Sequence, residues 1–199
     1  MATQVIVVNG VTLEPDADLR NLNLSGMDLR GVSLSNADLR GANLSGSNLR
    51  WVVAIGTDFR GANLSGTNFD RAKLNSSNFD NATLNGTDFT LATLSDANFA
   101  KCNLSGCNLT NANLFRTNLS EANLSSITVT EGTKFDWATF RKCDLRGSNI
   151  GAGSVEYANF EGANLSGVTM SSWRMEGASF VRANLRNAFI DGIVVEHLN

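Results

Sequence analysis

Histidine is almost missing from this sequence: there is one in 199 residues, His197, beside one proline, one tyrosine and three cysteines. A single histidine near the end removes most of what general-base and metal-ligand chemistry draws on. No Ser, Asp, Cys and His constellation meets the geometric demands of a catalytic site, so no enzyme activity, metal or cofactor is expected. Charge is sparse as well, at 18% of residues with a net charge of −3, below the usual quarter of a globular protein. With a pI near 5.1, binding of nucleic acid through phosphate neutralisation is not expected. Long apolar runs are also lacking: Val5 to Val8 falls far short of the roughly 20 residues of a membrane span. No basic-then-apolar leader opens the chain, and a cytoplasmic location is the expectation.

What the sequence has instead is 42% hydrophobic residues, 18 Gly and 25 Asn, arranged in a five-residue repeat. Ala37-Asp38-Leu39-Arg40-Gly41 is followed by Ala42-Asn43-Leu44-Ser45-Gly46, and the pattern continues. Taking the large apolar residue as the centre, centres recur every five residues from Leu19 to Val129, giving 23 units. One extra residue enters before Phe135, and 13 more units run to Val195. All 36 centres are apolar and 28 are Leu or Phe; two residues before the centre, 28 of 36 positions hold Ala, Cys, Ser, Thr or Gly.

A period of five excludes the ordinary elements. On a helix, five residues turn the chain by about 140° net, so the Leu/Phe series would spiral and form no face. On a long strand, an odd period would send every second centre outward. Both objections vanish if the chain turns a corner every five residues, with one small and one large residue pointing inward on each side. Four sides close a coil of 20 residues, and centres 20 apart support that number. One column reads Leu19, Leu39, Phe59, Phe79, Phe99, Leu119, Phe140, Phe160, Phe180. The next is Leu throughout, from Leu24 to Leu185. The third carries Phe69 and Phe89 among Leu, Ile, Val and Met, and the fourth is the least uniform. The columns keep their character across the extra residue, which makes it a local bulge within 130–134. The all-Leu column is followed two residues on by Gly26, Gly46, Gly66, Gly86, Gly106, Gly147 and Gly167, as a corner with positive φ would require. Nine coils at about 4.8 Å each make a rod roughly 43 Å long.

Runs such as Ala62-Asn63-Leu64-Ser65-Gly66 and Ala122-Asn123-Leu124-Ser125-Ser126 resemble the A(D/N)LXX repeat of the pentapeptide-repeat family over about residues 17 to 196. That resemblance implies an all-β fold, a right-handed quadrilateral parallel β-helix. Residues 1–16 are expected to form an N-terminal β cap, with a hairpin around Asn9-Gly10, and 17–199 the β-helix. The last coil would present Phe180, Leu185, Ile190 and Val195, and the expectation there is a homodimer, a form of association that also occurs in the family.

Candidate sites lie on the outside of the coil. Trp51, Val53, Ile55, Phe115, Arg116, Trp137 and Tyr157 point outward on or beside the fourth face and form a candidate partner face, with cation–π and ring stacking available to Arg116, Trp137 and Tyr157. Asp136, Glu156, Glu176 and Glu196 share one outward position on the fourth face of coils six to nine and form a candidate acidic ladder, either a solvated row, a cation site or a mimic of a DNA phosphate row. Arg20, Arg40 and Arg60 on the first face, with Arg30 and Arg50 on the third, suggest a basic N-terminal end. Cys102, Cys107 and Cys143 occupy small inward positions and read as core residues. Trp173 stands at a position otherwise reserved for small residues. Gly151-Ala152-Gly153 follows no strand–helix pattern and carries no dinucleotide signal.

Two functions from this reading are compatible with such a rod. One is a non-enzymatic scaffold that binds a protein partner through the fourth face or an end. The other is implied by the resemblance: quinolone-resistance members of the family imitate B-form DNA and bind DNA gyrase. This sequence has a weaker net charge than such a mimic needs and no inserted loop longer than one residue.

Overall fold

The computed structural model describes residues 6–130, 132–150, 153–171 and 173–191. The chain winds in four-sided coils, with parallel β-bridges joining residues one turn apart: Asp18 to Asp38, Asp38 to Asp58, Asn43 to Asn63 and Val53 to Lys73, all 20 residues apart. A short antiparallel hairpin, β1 (Val7–Val8) and β2 (Val11–Thr12), precedes the first coil and turns at Asn9-Gly10.

Each side is too short to be a strand in its own right, and the backbone accounting explains why it is stable nonetheless. The centre's N–H donates to the next coil (Leu39 N to Asp58 O, 2.8 Å), and the residue before it donates to the previous coil (Asp58 N to Ala37 O, 3.0 Å). The corner residue also donates onward (Gly41 N to Arg60 O, 3.0 Å), while the first residue of the next side donates back to the centre's carbonyl (Ala42 N to Leu39 O, 3.0 Å). That leaves the N–H just after the centre without a backbone acceptor. The Asn or Asp just before the centre supplies one: Asn63 Oδ1 accepts from Ser65 N at 3.1 Å and Asn78 Oδ1 from Asp80 N at 3.0 Å. The high Asn content is therefore a backbone requirement, a short carboxamide closing a local turn. Asn side chains also bond along the rod, as from Asn118 Nδ2 to Asn98 Oδ1 at 3.0 Å.

Corners need positive φ. The Gly column adopts it, from Gly26 (φ 65°) to Gly167 (φ 68°). The other corners impose the same conformation on larger residues, including Trp51 (φ 57°), Arg116 (φ 57°), Trp137 (φ 61°) and Tyr157 (φ 58°). Each such residue costs roughly 1–2 kcal/mol against an ordinary conformation, and inter-coil bonding offsets it.

The core is a stack of coils whose inward residues are almost all fully buried from coil one to coil eight. Phe59, Phe79 and Phe99 lie face to face at 5.0 and 4.4 Å, and Phe69 and Phe89 at 5.4 Å from the opposite side. The two stacks meet edge to face, as at Phe79–Phe89 (6.0 Å, 86°). A further stack joins Phe140, Phe160 and Phe180 at 4.5 and 4.8 Å. Stacked and edge-on rings both satisfy the aromatic quadrupole while excluding water.

The third side changes character in coils six to nine. There β3 (Thr128–Val129), β4 (Asn149–Ile150), β5 (Thr169–Ser171) and β6 (Phe189–Asp191) form a four-stranded parallel sheet. At the extra residue, Thr133 N donates to Thr130 O at 2.9 Å. The corner thus closes one residue beyond the centre Val129, and the next side resumes in register, with Lys134 bridged to Asn113. Trp173 points inward and is 1% exposed; its indole Nε1–H donates to Ile150 O at 2.5 Å. Smaller inward residues make the equivalent bond elsewhere, such as Thr57 Oγ1 to Leu34 O at 2.7 Å and Thr87 Oγ1 to Leu64 O at 2.8 Å. Trp173 is a scaled-up version of that hydroxyl.

Candidate functional site

Among the described residues, outward positions on the first three faces of coils one to eight are polar or Gly apart from Ala100 and the corner residues shared with the fourth side. They carry Asn, Asp, Ser and Thr ladders and paired ions. The fourth face differs. Away from the hairpin and the last coil, the exposed large apolar residues among those described are Trp51, Ile55, Leu91, Phe115, Trp137 and Tyr157, and all six lie on the fourth side or its two corners. Val53 is half-buried beside them. Leu91 escaped the sequence reading: it sits at the corner where Trp51 sits two coils earlier, and that shared register was the available signal.

These residues are not one cluster. Trp51, Val53 and Ile55 share coil two. Phe115, Trp137 and Tyr157 rise diagonally through coils five to seven, so the two patches are about 14–24 Å apart along the rod. In the upper patch Trp137 and Tyr157 stack at 4.5 Å with 19° between their planes. Tyr157 covers Gly177, where a Cβ would run into its ring. Tyr157 OH donates to Glu176 Oε1 at 3.2 Å, and this carboxylate raises its pKa. The cation–π contact open to Arg116 gives way to an ion pair, its Nε lying 2.9 Å from Asp96 Oδ1. The recorded cation–π pair is Arg50 over Trp51, at 4.4 Å in the lower patch.

The acidic ladder is likewise engaged. Asp136 Oδ1 accepts from Ser154 Oγ and from Glu156 N (3.0 Å), Glu156 pairs with Arg174 at 2.8 Å, and Glu176 accepts from Tyr157. Glu196 lies outside the described residues, as do His197 and Val195. No group of three or more potential metal ligands occurs among the described residues.

The expected basic N-terminal end is a correction. Arg20 Nη2 reaches Asp18, Arg40 reaches Asp38 and Arg60 reaches Asp58, each at 2.6 Å, and Arg30 reaches Asp28 at 2.6 Å. The Asp at the turn-closing position and the Arg two residues on form forked pairs, so the row alternates in sign. Arg20 holds the Asp18 carboxyl down at about 2, and Arg30 and Arg40 lower Asp28 and Asp38 in the same way.

Cys102, Cys107 and Cys143 are buried and unbridged, and burial pushes all three thiols up to about 12. Their S–H groups are part of the core bonding, Cys102 Sγ donating to Phe79 O at 2.8 Å and Cys107 Sγ to Leu84 O at 2.9 Å. At the far end, Phe180 is half-buried under Phe160, while Leu185, Phe189 and Ile190 are exposed.

A parallel coil with four five-residue sides and paired small and large inward residues defines a class, the square β-solenoids. Within it the chain belongs to the pentapeptide-repeat family: residues 39–109 and 55–129 match the Pentapeptide repeat region, and 16–52 and 158–194 match the eight-copy Pentapeptide repeats. Its fold is the right-handed quadrilateral β-helix of that family. A solved structure of HetL, a pentapeptide repeat protein involved in heterocyst differentiation regulation from the cyanobacterium Nostoc sp. strain PCC 7120, is similar at 27% identity and a TM-score of 0.64, covering 91% of this chain and 90% of that one. QnrB1, a plasmid-mediated fluoroquinolone resistance protein, shares the fold at 24% identity and a TM-score of 0.55, covering 84% and 91% of the two chains. No curated protein matches. Among the described residues no helix is long and apolar enough to cross a membrane.

Proposed function

We propose that this protein is a non-enzymatic interaction scaffold that binds a protein partner along its fourth face. One observation carries the reading: among the described residues between the end coils, exposed large apolar side chains are confined to the fourth side and its two corners. Isolated exposed apolar residues need no explanation, but their segregation onto one face of a repetitive rod does. Aromatic residues with arginines beside them, as at Trp51 with Arg50, are the composition of interface anchors.

A photo-reactive phenylalanine placed at 55 or 137 should give covalent adducts in cells that express the protein, while one at Ser65 on the polar second face should give none. Equal adducts from both faces would overturn the reading. The exposed Leu185, Phe189 and Ile190 support an end-to-end homodimer as a second contact. Sedimentation equilibrium should then find a dimer at micromolar concentration, and Ile190→Asp should return it to monomer; a monomer throughout would remove this contact.

A further inference from the structure

The stretch between the two apolar patches is positively charged. Arg71 and Lys73 stand on the fourth side and its corner in coil three, both exposed. Arg71 reaches Asp70 only at 3.8 Å, and that carboxylate is already held by Arg50 at 2.7 Å. Lys73 has no carboxylate within 4.0 Å among the described residues, and the same holds for Lys134 in the same outward row. The one acid on this face between coils two and five is Asp96, and Arg116 neutralises it at 2.9 Å. Apolar anchors thus flank unneutralised cations.

The backbone of this side is committed. Lys73 N donates to Val52 O at 2.9 Å, Leu74 N to Thr93 O at 2.8 Å and Thr93 N to Ala72 O at 2.9 Å. An added strand would find no ladder to extend here, so recognition runs through side chains alone. The faces of Trp137 and Tyr157 are turned toward each other at 4.5 Å, leaving mainly edges for a ligand, which disfavours the ring-lined groove that holds a polyproline segment. An amphipathic helix satisfies its own backbone and presents side chains to such a surface. Along the rod axis alone, the rise from Trp51 in coil two to Trp137 in coil six is about 19 Å, the length of roughly 13 residues of helix at 1.5 Å each, and a helix joining them crosses the face obliquely from one corner to the other.

Resting on the fourth-face reading, we propose that the partner element is an acidic amphipathic helix of about four turns. Its apolar residues at the two ends seat on Trp51–Ile55 and on Phe115–Trp137–Tyr157. Its Asp or Glu residues in between face Arg71 and Lys73. Opposite charge on the partner steers encounter and fixes register.

The test is a display library of helix-forming peptides of about 18 residues, randomised on one face and panned on the full chain. Enriched peptides should carry apolar residues about 13 positions apart with Asp or Glu between them. Their affinity should fall about tenfold or more for R71E/K73E and weaken as salt rises. Circular dichroism and melting of that variant check that it stays folded. Enriched peptides that are basic or uncharged, or that bind R71E/K73E unchanged, overturn the acidic-helix proposal while leaving the face intact if W51S/W137S abolishes their binding. Peptides that ignore W51S/W137S, or no enrichment at all, overturn the proposal, and the first of these counts against the face as well.

Discussion

At the scale of single residues, the repeat tolerates large departures when the replacement reproduces the chemistry of the usual one. Trp173 occupies a slot built for Ala, Ser or Thr and keeps the hydrogen bond that Thr57 and Thr87 make in theirs. Trp173→Ala should cost about 3–5 kcal/mol, because it opens a large cavity and removes a buried donor. Trp173→Phe keeps most of the volume and should cost only about 1 kcal/mol. Urea unfolding of the two variants checks this: no loss in Trp173→Phe would mean that the indole N–H contributes nothing, and equal losses in both would mean that the ring volume does not. The sequence showed the anomaly at this position but not its direction, since the same period allows a bulged side with the ring outward. The thiols were fully legible: a Cys in an Ala column is core, and Cys102 and Cys143 lie two coils apart.

At the scale of one side of a coil, the turn-closing Asn or Asp is the element that makes five residues sufficient. Where it is Asp and followed two residues later by Arg, a second job is added. Arg20 donates two hydrogen bonds to Asp18, at 2.8 and 2.6 Å, and draws its pKa from the ordinary 3.8 to about 2. Asp28, Asp38 and Asp144 are lowered by the same kind of bond, and Asp58 is lowered too, its burial being outweighed by Arg60. A carboxyl whose folded pKa lies below its unfolded one binds fewer protons when folded. Its stabilisation is therefore present above about pH 4 and is lost as pH falls through the folded value. The melting temperature should drop between about pH 4 and pH 2, and less steeply in D18N/D38N/D58N; an unchanged slope would show that these exposed pairs contribute nothing. The sequence held both members of each pair, yet the arginines invite a reading as a basic stripe until the fork geometry is seen.

At the scale of the whole molecule, the rod does not carry the charge pattern of DNA. A phosphate row is an uninterrupted series of free anions, whereas Asp136, Glu156 and Glu176 each bond to a neighbour and the N-terminal face alternates in sign. Micromolar protein should therefore leave gyrase supercoiling and its quinolone sensitivity unchanged. Inhibition relieved by neutralising those three carboxylates would restore the DNA-mimic reading. The fourth face differs, with apolar patches in coil two and in coils five to seven and Arg71, Lys73 and the exposed Leu91 between them, and that is the surface on which a partner is proposed.

The period of five, the four columns and the Gly corners were determined by sequence alone, because a coil that stacks on itself forces residues 20 apart into the same environment. The inward core, the buried cysteines and the polar character of three faces follow from that register. Tertiary structure decided what register cannot. Side chains such as Arg20, Arg116 and Tyr157 have several partners within reach, and only their rotamers settle whether charge is exposed or paired. Leu91 could have been read from the register it shares with Trp51 two coils earlier, but its exposure beside that face is seen only in the stacked coils. The opening of the third side into β3 to β6 likewise depends on backbone hydrogen bonds between coils, a property of neighbours about 20 residues away that no local pattern records.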